Sequence, residues 1–243
     1  MHEFESFAYL DVQKTGSMFI SYLLDTYCTE KTLFFKKHTR VGDSYDPKKF
    51  YFVSARDPLD QYISLYSYGC SGKGGLARRV RRRGHEDLYD STWAGFKRWL
   101  KFVLKPGAAR TLDAEYGASG SGALSSLIGF QTYRFLELAM LEPIETLSAC
   151  TTKDEVRAAY KAKNIVDFTI RHAHFDADVE ELLTTRLRNS ISDLDAALKF
   201  LKEGQHLNVS DRIDLFESDA TLGPKHEELL HEREWLLYEL FDY

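Results

Sequence analysis

The segment Gln13-Lys14-Thr15-Gly16-Ser17 contains residue types that bind anions. It separates an apolar run, residues 7–12, from a segment with helical spacing, residues 18–28. Backbone N–H groups of such a loop, with the partial positive charge of a helix N-terminus, attract phosphate or sulfate. Lys14 adds a full charge, and Gly16 lets a ligand approach the chain. The pattern predicts an anion site or, as the alternative, an ordinary turn with a surface lysine.

A second group of candidate residues follows the apolar run 50–55. Arg56 comes directly after this run, Asp57 and Pro58 are typical of a helix start, and Ser64 lies in the helix that follows. An arginine fork and a serine hydroxyl can bind one phosphate. Ligands of open α/β sheets bind where strands end. The alternative is a local ion pair between Arg56 and Asp57 that closes a turn.

Apolar runs and turn signals predict the elements that hold these residues. Two strand–loop–helix units in the N-terminal part favour an α/β fold with a central, mostly parallel sheet flanked by helices. No repeat or linker is visible, so residues 1–243 are expected to form one domain with a largely helical second half. The expected strands are 7–12, 32–35, 50–55 and 166–170.

The expected helices follow from apolar spacing and capping residues. Residues 71–84, which are rich in glycine and arginine, are expected to form a loop. Thr92 and the pair Thr152/Glu155 are expected to cap helices, the latter as a capping box. The expected helices are 18–28, 59–68, one after Thr92, 124–139, one ending near 163, 177–188, 191–203 and 225–241.

Composition excludes several classes of protein. The chain has 32 Lys and Arg against 37 Asp and Glu, a net charge of −5, which argues against a general nucleic-acid binder. Cys28, Cys70 and Cys150 are too widely spaced to indicate a disulfide framework or a thiolate zinc site. Without a visible signal peptide or an apolar run near the ~20 residues of a membrane span, the sequence predicts a soluble, cytoplasmic protein.

The two anion-binding motifs, in this order and about forty residues apart, resemble those of sulfotransferases that use 3′-phosphoadenosine 5′-phosphosulfate (PAPS). Residues 14–17 match the loop for the 5′-phosphosulfate, with Gln13 in place of proline. Residues 56–58, with Ser64 and Tyr66, match the motif for the 3′-phosphate, with Gln61 in place of a second arginine. Segments 129–136 and 206–210 are similar to bacterial and glycan-modifying branches of the family, whereas 71–122 matches nothing recognisable.

The resemblance implies a P-loop-like sulfotransferase fold and a transferase that binds a nucleotide. Its reaction would move the sulfuryl group of PAPS to a hydroxyl, in preference to an amine, of a carbohydrate or another small alcohol. The product would be adenosine 3′,5′-bisphosphate (PAP), and no metal is implied. Lys14 would stabilise the charge on the leaving phosphate. The implied nucleotide-binding residues are Gln13, Lys14, Thr15, Gly16, Ser17, Met18, Arg56, Ser64, Asn208 and Ser210.

Sulfuryl transfer needs a base to take the proton of the acceptor. His38 is the preferred candidate because it lies between the two motifs, just past the second expected strand, and because an ordinary imidazole titrates at about pH 6.5. Glu30 is a weaker candidate, and His172 and His174 are interpreted as structural. The alternative for His38 is a surface residue in the basic turn 36–40.

Arginines crowd the expected loop 71–84 of this acidic chain. Charge runs of this kind are usually solvated. The alternative is a lid that binds an anionic acceptor, to which Gln131 and Arg134 of the segment 129–136 are also assigned. The acceptor-site candidates in the run are Arg78, Arg79 and Arg82, and the run also holds Arg81 and Arg83.

Two further functions remain open at the level of sequence. One is a P-loop kinase or NTPase, although Lys14 precedes the glycine and the glycine upstream of a Walker A lysine is missing. The other is a non-catalytic protein that binds anionic glycans. The oligomeric state is not readable from the sequence.

Overall fold

The computed structural model describes residues 1–118, 124–204 and 221–243. These residues fall into two compact units. Of the described residues, the first unit comprises Met1–Arg56, Glu137–Leu141 and 164–204. The second comprises Asp57–Leu136, Glu142–Lys163 and 221–243. The assignment of the whole chain to one domain stays a prediction.

The sheet belongs to the first unit and has five strands in the order β3-β1-β2-β4-β5. Strands β2, β4 and β5 run parallel, whereas β1 is antiparallel to both of its neighbours. The fold is therefore α/β, but the sheet is mixed and not mostly parallel. The strands are β1 (His2–Glu3), β2 (Phe7–Leu10), β3 (Phe34–Phe35), β4 (Phe50–Ala55) and β5 (Phe168–Arg171).

The antiparallel part was missed because β1 and β3 contain only two residues each, too few for an alternating pattern. In contrast, β4 is buried along most of its length, which explains its continuous apolar run. Its predicted bounds are confirmed.

The described residues form fourteen α-helices. They are α1 (Ser17–Tyr27), α2 (Pro58–Cys70), α3 (Gly75–Arg82), α4 (Trp93–Val103), α5 (Ala109–Leu112), α6 (Ala114–Ala118), α7 (Leu124–Leu127), α8 (Phe130–Ala139), α9 (Pro143–Ser148), α10 (Lys153–Lys163), α11 (Phe175–Glu181), α12 (Leu194–Glu203), α13 (Pro224–Arg233) and α14 (Trp235–Phe241). A π-helical turn, Leu182–Arg186, follows α11. No helix among them is long and apolar enough to cross a membrane.

One loop prediction and two helix predictions need correction. The expected loop 71–84 contains α3, because Leu76, Ala77 and Val80 form a buried stripe beneath the arginines. The expected helices 124–139 and 225–241 are each broken in two, near Gly129 and at Glu234. The three predicted helix caps are confirmed: Asp57 accepts a hydrogen bond from the Asp60 N–H, Thr92 accepts one from the Gly95 N–H, and Thr152 and Glu155 form the capping box.

The core of the first unit packs α1, α11 and α12 against the sheet. Tyr9 and Phe52 stack at 5.0 Å between ring centroids on neighbouring strands, and Phe19 of α1 stacks on Phe200 of α12 at 5.1 Å. All belong to or pack against one apolar cluster. This cluster fixes where β2 ends and α1 begins, which positions the loop between them.

The core of the second unit contains a buried carboxylate, Glu234. It accepts hydrogen bonds from the Tyr62 hydroxyl at 2.5 Å, from the Thr132 N–H and hydroxyl at 2.8 and 2.7 Å, and from the Gln131 N–H at 3.3 Å. Burial raises the pKa of Glu234, while these bonds oppose the rise. The carboxylate caps the N-terminus of α8. The contact lies at both helix breaks and requires glycine at position 129, since a Cβ there would overlap the carboxylate.

Candidate active site

Polar residues of the first unit gather at the carboxyl edge of its parallel strands. Asp11 follows β2, Arg56 follows β4 and Arg171 ends β5. Register pairs Leu10 with Val53 and Ala55 with Arg171, so the three strands end at the same edge. This edge is where open α/β sheets bind ligands. The predicted loop 13–17 begins here as well.

The loop turns sharply in front of α1. Gly16 has φ 89° and precedes the first residue of the helix, Ser17. A Cβ at Gly16 would lie 2.8 Å from the ring of Phe175, so this position requires glycine for both its φ angle and its space. No side chain caps α1 and its first turn has no acidic residue. Its N-terminal N–H groups therefore keep their partial positive charge.

Lys14 and His38 both have left-handed backbone angles, φ 64° and φ 55°. For a residue other than glycine this conformation costs roughly 1–2 kcal/mol. The surrounding structure maintains it in both cases. Ser91, Glu142 and Asp242 share this conformation outside the candidate site, so it does not by itself mark Lys14 and His38 as functional.

A relay of buried hydroxyls fixes the loop to the sheet. The Thr15 hydroxyl lies 2.7 Å from the Val12 carbonyl oxygen and 2.6 Å from Ser54 Oγ, which lies 2.5 Å from the Tyr9 hydroxyl. A carbonyl only accepts, so Thr15 donates to Val12, Ser54 donates to Thr15, and Tyr9 donates to Ser54. The Thr15 side chain thus points inward. Of the donors of Thr15, only the backbone N–H can therefore bind an anion.

Removing the middle of the relay should destabilise the protein. Ser54→Ala leaves the Tyr9 hydroxyl buried without its acceptor, which should lower the free energy of unfolding by about 1–3 kcal/mol in a urea titration. Adding Tyr9→Phe removes that orphaned hydroxyl. The double variant should therefore be at least as stable as Ser54→Ala alone; a further loss in the double variant would contradict the relay.

His38 is held by Asp11. The backbone N–H of His38 donates to Asp11 Oδ1 at 2.9 Å, and the ring Nδ1 lies 2.7 Å from the Asp11 carbonyl oxygen and 3.4 Å from Oδ2. A carbonyl partner places the proton of a neutral ring on Nδ1, and hence the lone pair on Nε2. Asp11 is buried, whereas His38 is about one-third exposed. A buried carboxylate orienting a partly exposed imidazole is the arrangement of a general base.

Arg56 contacts the loop directly. Its Nη1 donates to the Lys14 carbonyl oxygen over 3.4 Å. Lys14, Arg56 and Ser17 are all half-buried, and Met18 is exposed. The structure thus brings together Gln13, Lys14, Thr15, Gly16, Ser17, Met18, Arg56 and His38 in the first unit.

Other predicted residues lie elsewhere or have structural roles. Ser64 is half-buried on α2 of the second unit. Glu30 accepts hydrogen bonds from Ser6 and Ser190. Burial raises the pKa of Glu30, but these hydrogen bonds lower it further than burial raises it. A lowered pKa of this origin is typical of a structural carboxylate. Asn208 and Ser210 lie outside the described residues.

The arginine candidates lie on α3 and α8 of the second unit. Arg78, Arg79 and Arg82 are exposed on α3. Partial desolvation lowers the pKa of Arg79; the charge of Asp113 opposes this shift, and the charges of Arg134 and Arg78 add to it. Gln131, also on α8, is fully buried.

Arg81 of α3 has a structural role. Its guanidinium donates to the Gly69 carbonyl oxygen at 2.7 Å and lies over the Tyr89 ring, 4.8 Å from the centroid. The first contact holds α3 against α2, and the second holds α3 against the turn that follows α3.

Sequence reasoning missed Asp11, Ser54 and Phe175. An acidic residue directly after a buried strand was the available signal for Asp11, whereas the positions of Ser54 and Phe175 depend on tertiary packing. Within 1–118, 124–204 and 221–243, no group of three or more His, Cys, Asp or Glu side chains could hold a metal ion.

Comparison of the chain with protein-family models, with curated proteins and with solved structures yields no match. The residues at the carboxyl edge of the sheet are therefore the basis for a functional proposal.

Proposed function

We propose that this protein is a PAPS-dependent sulfotransferase. One observation carries the proposal: the glycine loop with Lys14 lies at the same sheet edge as Arg56 and the Asp11–His38 pair. A phosphate-binding loop beside an oriented base supplies both groups that sulfuryl transfer needs. The ordered pair of motifs that resembles the sulfotransferase family points to the same reaction.

The reaction assigns a separate role to each group. An acceptor oxygen forms a bond to sulfur while the bond from sulfur to the 5′-phosphate oxygen of PAPS breaks, and the acceptor proton moves to Nε2 of His38. Lys14 and the N–H groups of residues 15–18 stabilise the charge that develops on the leaving phosphate. No side chain forms a covalent intermediate. Asp11 is a positioning residue that orients the ring and stabilises its protonated form.

Recognition of the remaining ligand groups is proposed from the motifs. Arg56 binds the 3′-phosphate through its fork of donors. The acceptor is a carbohydrate or another small alcohol.

The position of Thr15 argues against a kinase. In P-loop NTPases the hydroxyl after the lysine holds Mg²⁺. Here the Thr15 hydroxyl is buried and donates to the Val12 carbonyl oxygen, so it is used by the relay.

Ligand-dependent thermal stability tests the nucleotide site. PAP at about one hundred times its Kd should stabilise the native state by about 2.7 kcal/mol, which corresponds to a rise in Tm of roughly 5–10 °C. The rise should persist in EDTA. A rise with ATP and magnesium, but not with PAP, would replace the sulfotransferase with a kinase.

A matched pair of variants locates the site. Lys14→Met removes a charged hydrogen-bond donor, so the affinity for PAP measured by titration calorimetry should fall about 10- to 150-fold. Lys48→Met removes the same charge from an exposed position of the same unit and should leave the affinity within a factor of two or so. Equal losses in both variants would exclude the loop as the phosphate site.

A further inference from the structure

Five large apolar side chains of the first unit are exposed. Buried apolar residues form the core of this unit, whereas these five lie at its surface, with Tyr22 also contacting Phe200 at 5.3 Å between ring centroids. They lie on α1 and in or beside β3: Met18 at 48%, Tyr22 at 52%, Leu33 at 53%, Phe34 at 39% and Phe35 at 47% exposure. Exposed apolar groups gathered in one place mark an interaction site.

The five side chains, here called the apolar patch, lie on two segments, α1 and residues 33–35, which contacts near Met18 and Phe35 place side by side. Lys37 Nζ lies 2.7 Å from Met18 Sδ at the start of α1. Further along α1, Asp25 Oδ1 lies 3.3 Å from Nε2 of His2, whose ring is 4.9 Å from the Phe35 ring. Positions 18, 22 and 25 share one helix face. The segment 33–37 therefore runs along that face in the opposite direction.

Basic side chains surround the apolar patch. Lys31, Lys36 and Lys37 are exposed on both sides of residues 33–35, and the segment 31–40 contains no acidic residue. Asp25 lies at one end of the patch and is paired with His2. This local excess of positive charge occurs in a chain with a net charge of −5. The charge is therefore concentrated where the apolar side chains are.

We propose that the apolar patch docks on an anionic membrane surface. Aromatic and aliphatic side chains flanked by lysines are the combination that enters the boundary between headgroups and acyl chains. The lysines also argue against a second copy of the chain as the occupant. Pairing two β3 edges would bring Lys31, Lys36 and Lys37 of both copies together, and edge lysines oppose such pairing. The binding does not depend on the proposed reaction.

Sedimentation with lipid vesicles tests the docking. The protein should bind vesicles of phosphatidylcholine with about 30 mol% phosphatidylserine, should bind vesicles of phosphatidylcholine alone far less, and should be released as salt rises. Replacing Lys31, Lys36 and Lys37 with Gln should weaken binding about a hundredfold. Replacing Lys48, Lys199 and Lys202, three exposed lysines of the same unit, is the matched control with the same change in charge.

The apolar contribution is tested separately. Leu33→Ser with Phe34→Ser removes exposed side chains only, so the variant should keep its fold and bind the anionic vesicles at least tenfold more weakly. Equal weakening by the two lysine triples, or unchanged binding of the serine variant, would overturn the proposal. So would a dimer of the parent protein in sedimentation equilibrium that the serine variant abolishes, because the patch would then be covered by a second copy.

Discussion

Replacing His38 with glutamine is expected to lower kcat by about 10²- to 10⁴-fold, the usual contribution of a general base. The ring is held by the Asp11 carbonyl oxygen and carboxylate, which places its lone pair on Nε2, the atom that would receive the acceptor proton. Glutamine retains polarity but cannot take up that proton. The measurement is release of PAP from PAPS with the best acceptor from a panel of glycosides and phenols.

The control for this prediction is His174→Gln. His174 is an exposed histidine that follows β5 in the same unit, and its replacement should leave kcat unchanged. The affinity for PAP should be the same in the parent and in both variants, because the base does not hold the nucleotide. A His38→Gln variant with full kcat would remove the base from the mechanism while leaving the nucleotide site intact.

Asp11 is distinguished from a merely structural residue by its dependence on His38. Asp11→Asn should lower kcat more in the parent than in a His38→Gln background, where Asp11 keeps only its bonds to the backbone N–H of residue 38 and to the Met1 ammonium. Independent, multiplying losses would instead indicate that Asp11 maintains the fold of the edge.

A methyl group at Gly129 is expected to lower the free energy of unfolding by about 3–5 kcal/mol, the largest effect on stability predicted for this chain. The new Cβ in Gly129→Ala would overlap the Glu234 carboxylate. That carboxylate cannot move away without leaving the Tyr62 hydroxyl and the donors of Gln131 and Thr132 unpaired in the core. The midpoint of a urea titration measures the loss.

Gly107→Ala provides the matched control. A Cβ at Gly107 meets no atom within 4 Å, and its φ angle is not in the left-handed region. The substitution should therefore leave stability unchanged or raise it slightly by restricting the unfolded chain. If both alanine variants were equally stable, Glu234 would not be the fixed group that separates α7 from α8.

The parts of the fold that could be predicted are those in which local pattern and burial agree. The apolar run 50–55 predicted the bounds of β4 correctly, and Thr92 and Thr152 cap helices in the structure as expected. The loop before α1 and the positions of Arg56 and His38 near strand ends were predicted on the same grounds. That these residues perform sulfuryl transfer stays a prediction.

The rest could not be predicted because it depends on contacts distant in sequence. Helix α3 was not predicted because its sequence is dominated by charged residues, and only Leu76, Ala77 and Val80 form its buried stripe. The short β1 is a strand only because β2 and β3 lie beside it. The helix breaks at Gly129 and Glu234 meet at one contact between residues far apart in the chain. Asp11 is an ordinary acidic residue until tertiary structure places His38 against it.

The pairing of β4 with β5 also affects how the chain is made. Tyr51 donates its N–H to Asp167, 116 residues later, beside the first residues of β5. On a ribosome, β2 and β4 emerge early, whereas the strand that covers the other edge of β4 is synthesised only after most of the second unit. Closing so long a loop is slow, and an uncovered apolar edge can pair with another nascent chain meanwhile. Slower translation after β5, which gives β5 time to pair with β4 before the chain is released, is therefore expected to raise the yield of folded protein without any change in its sequence.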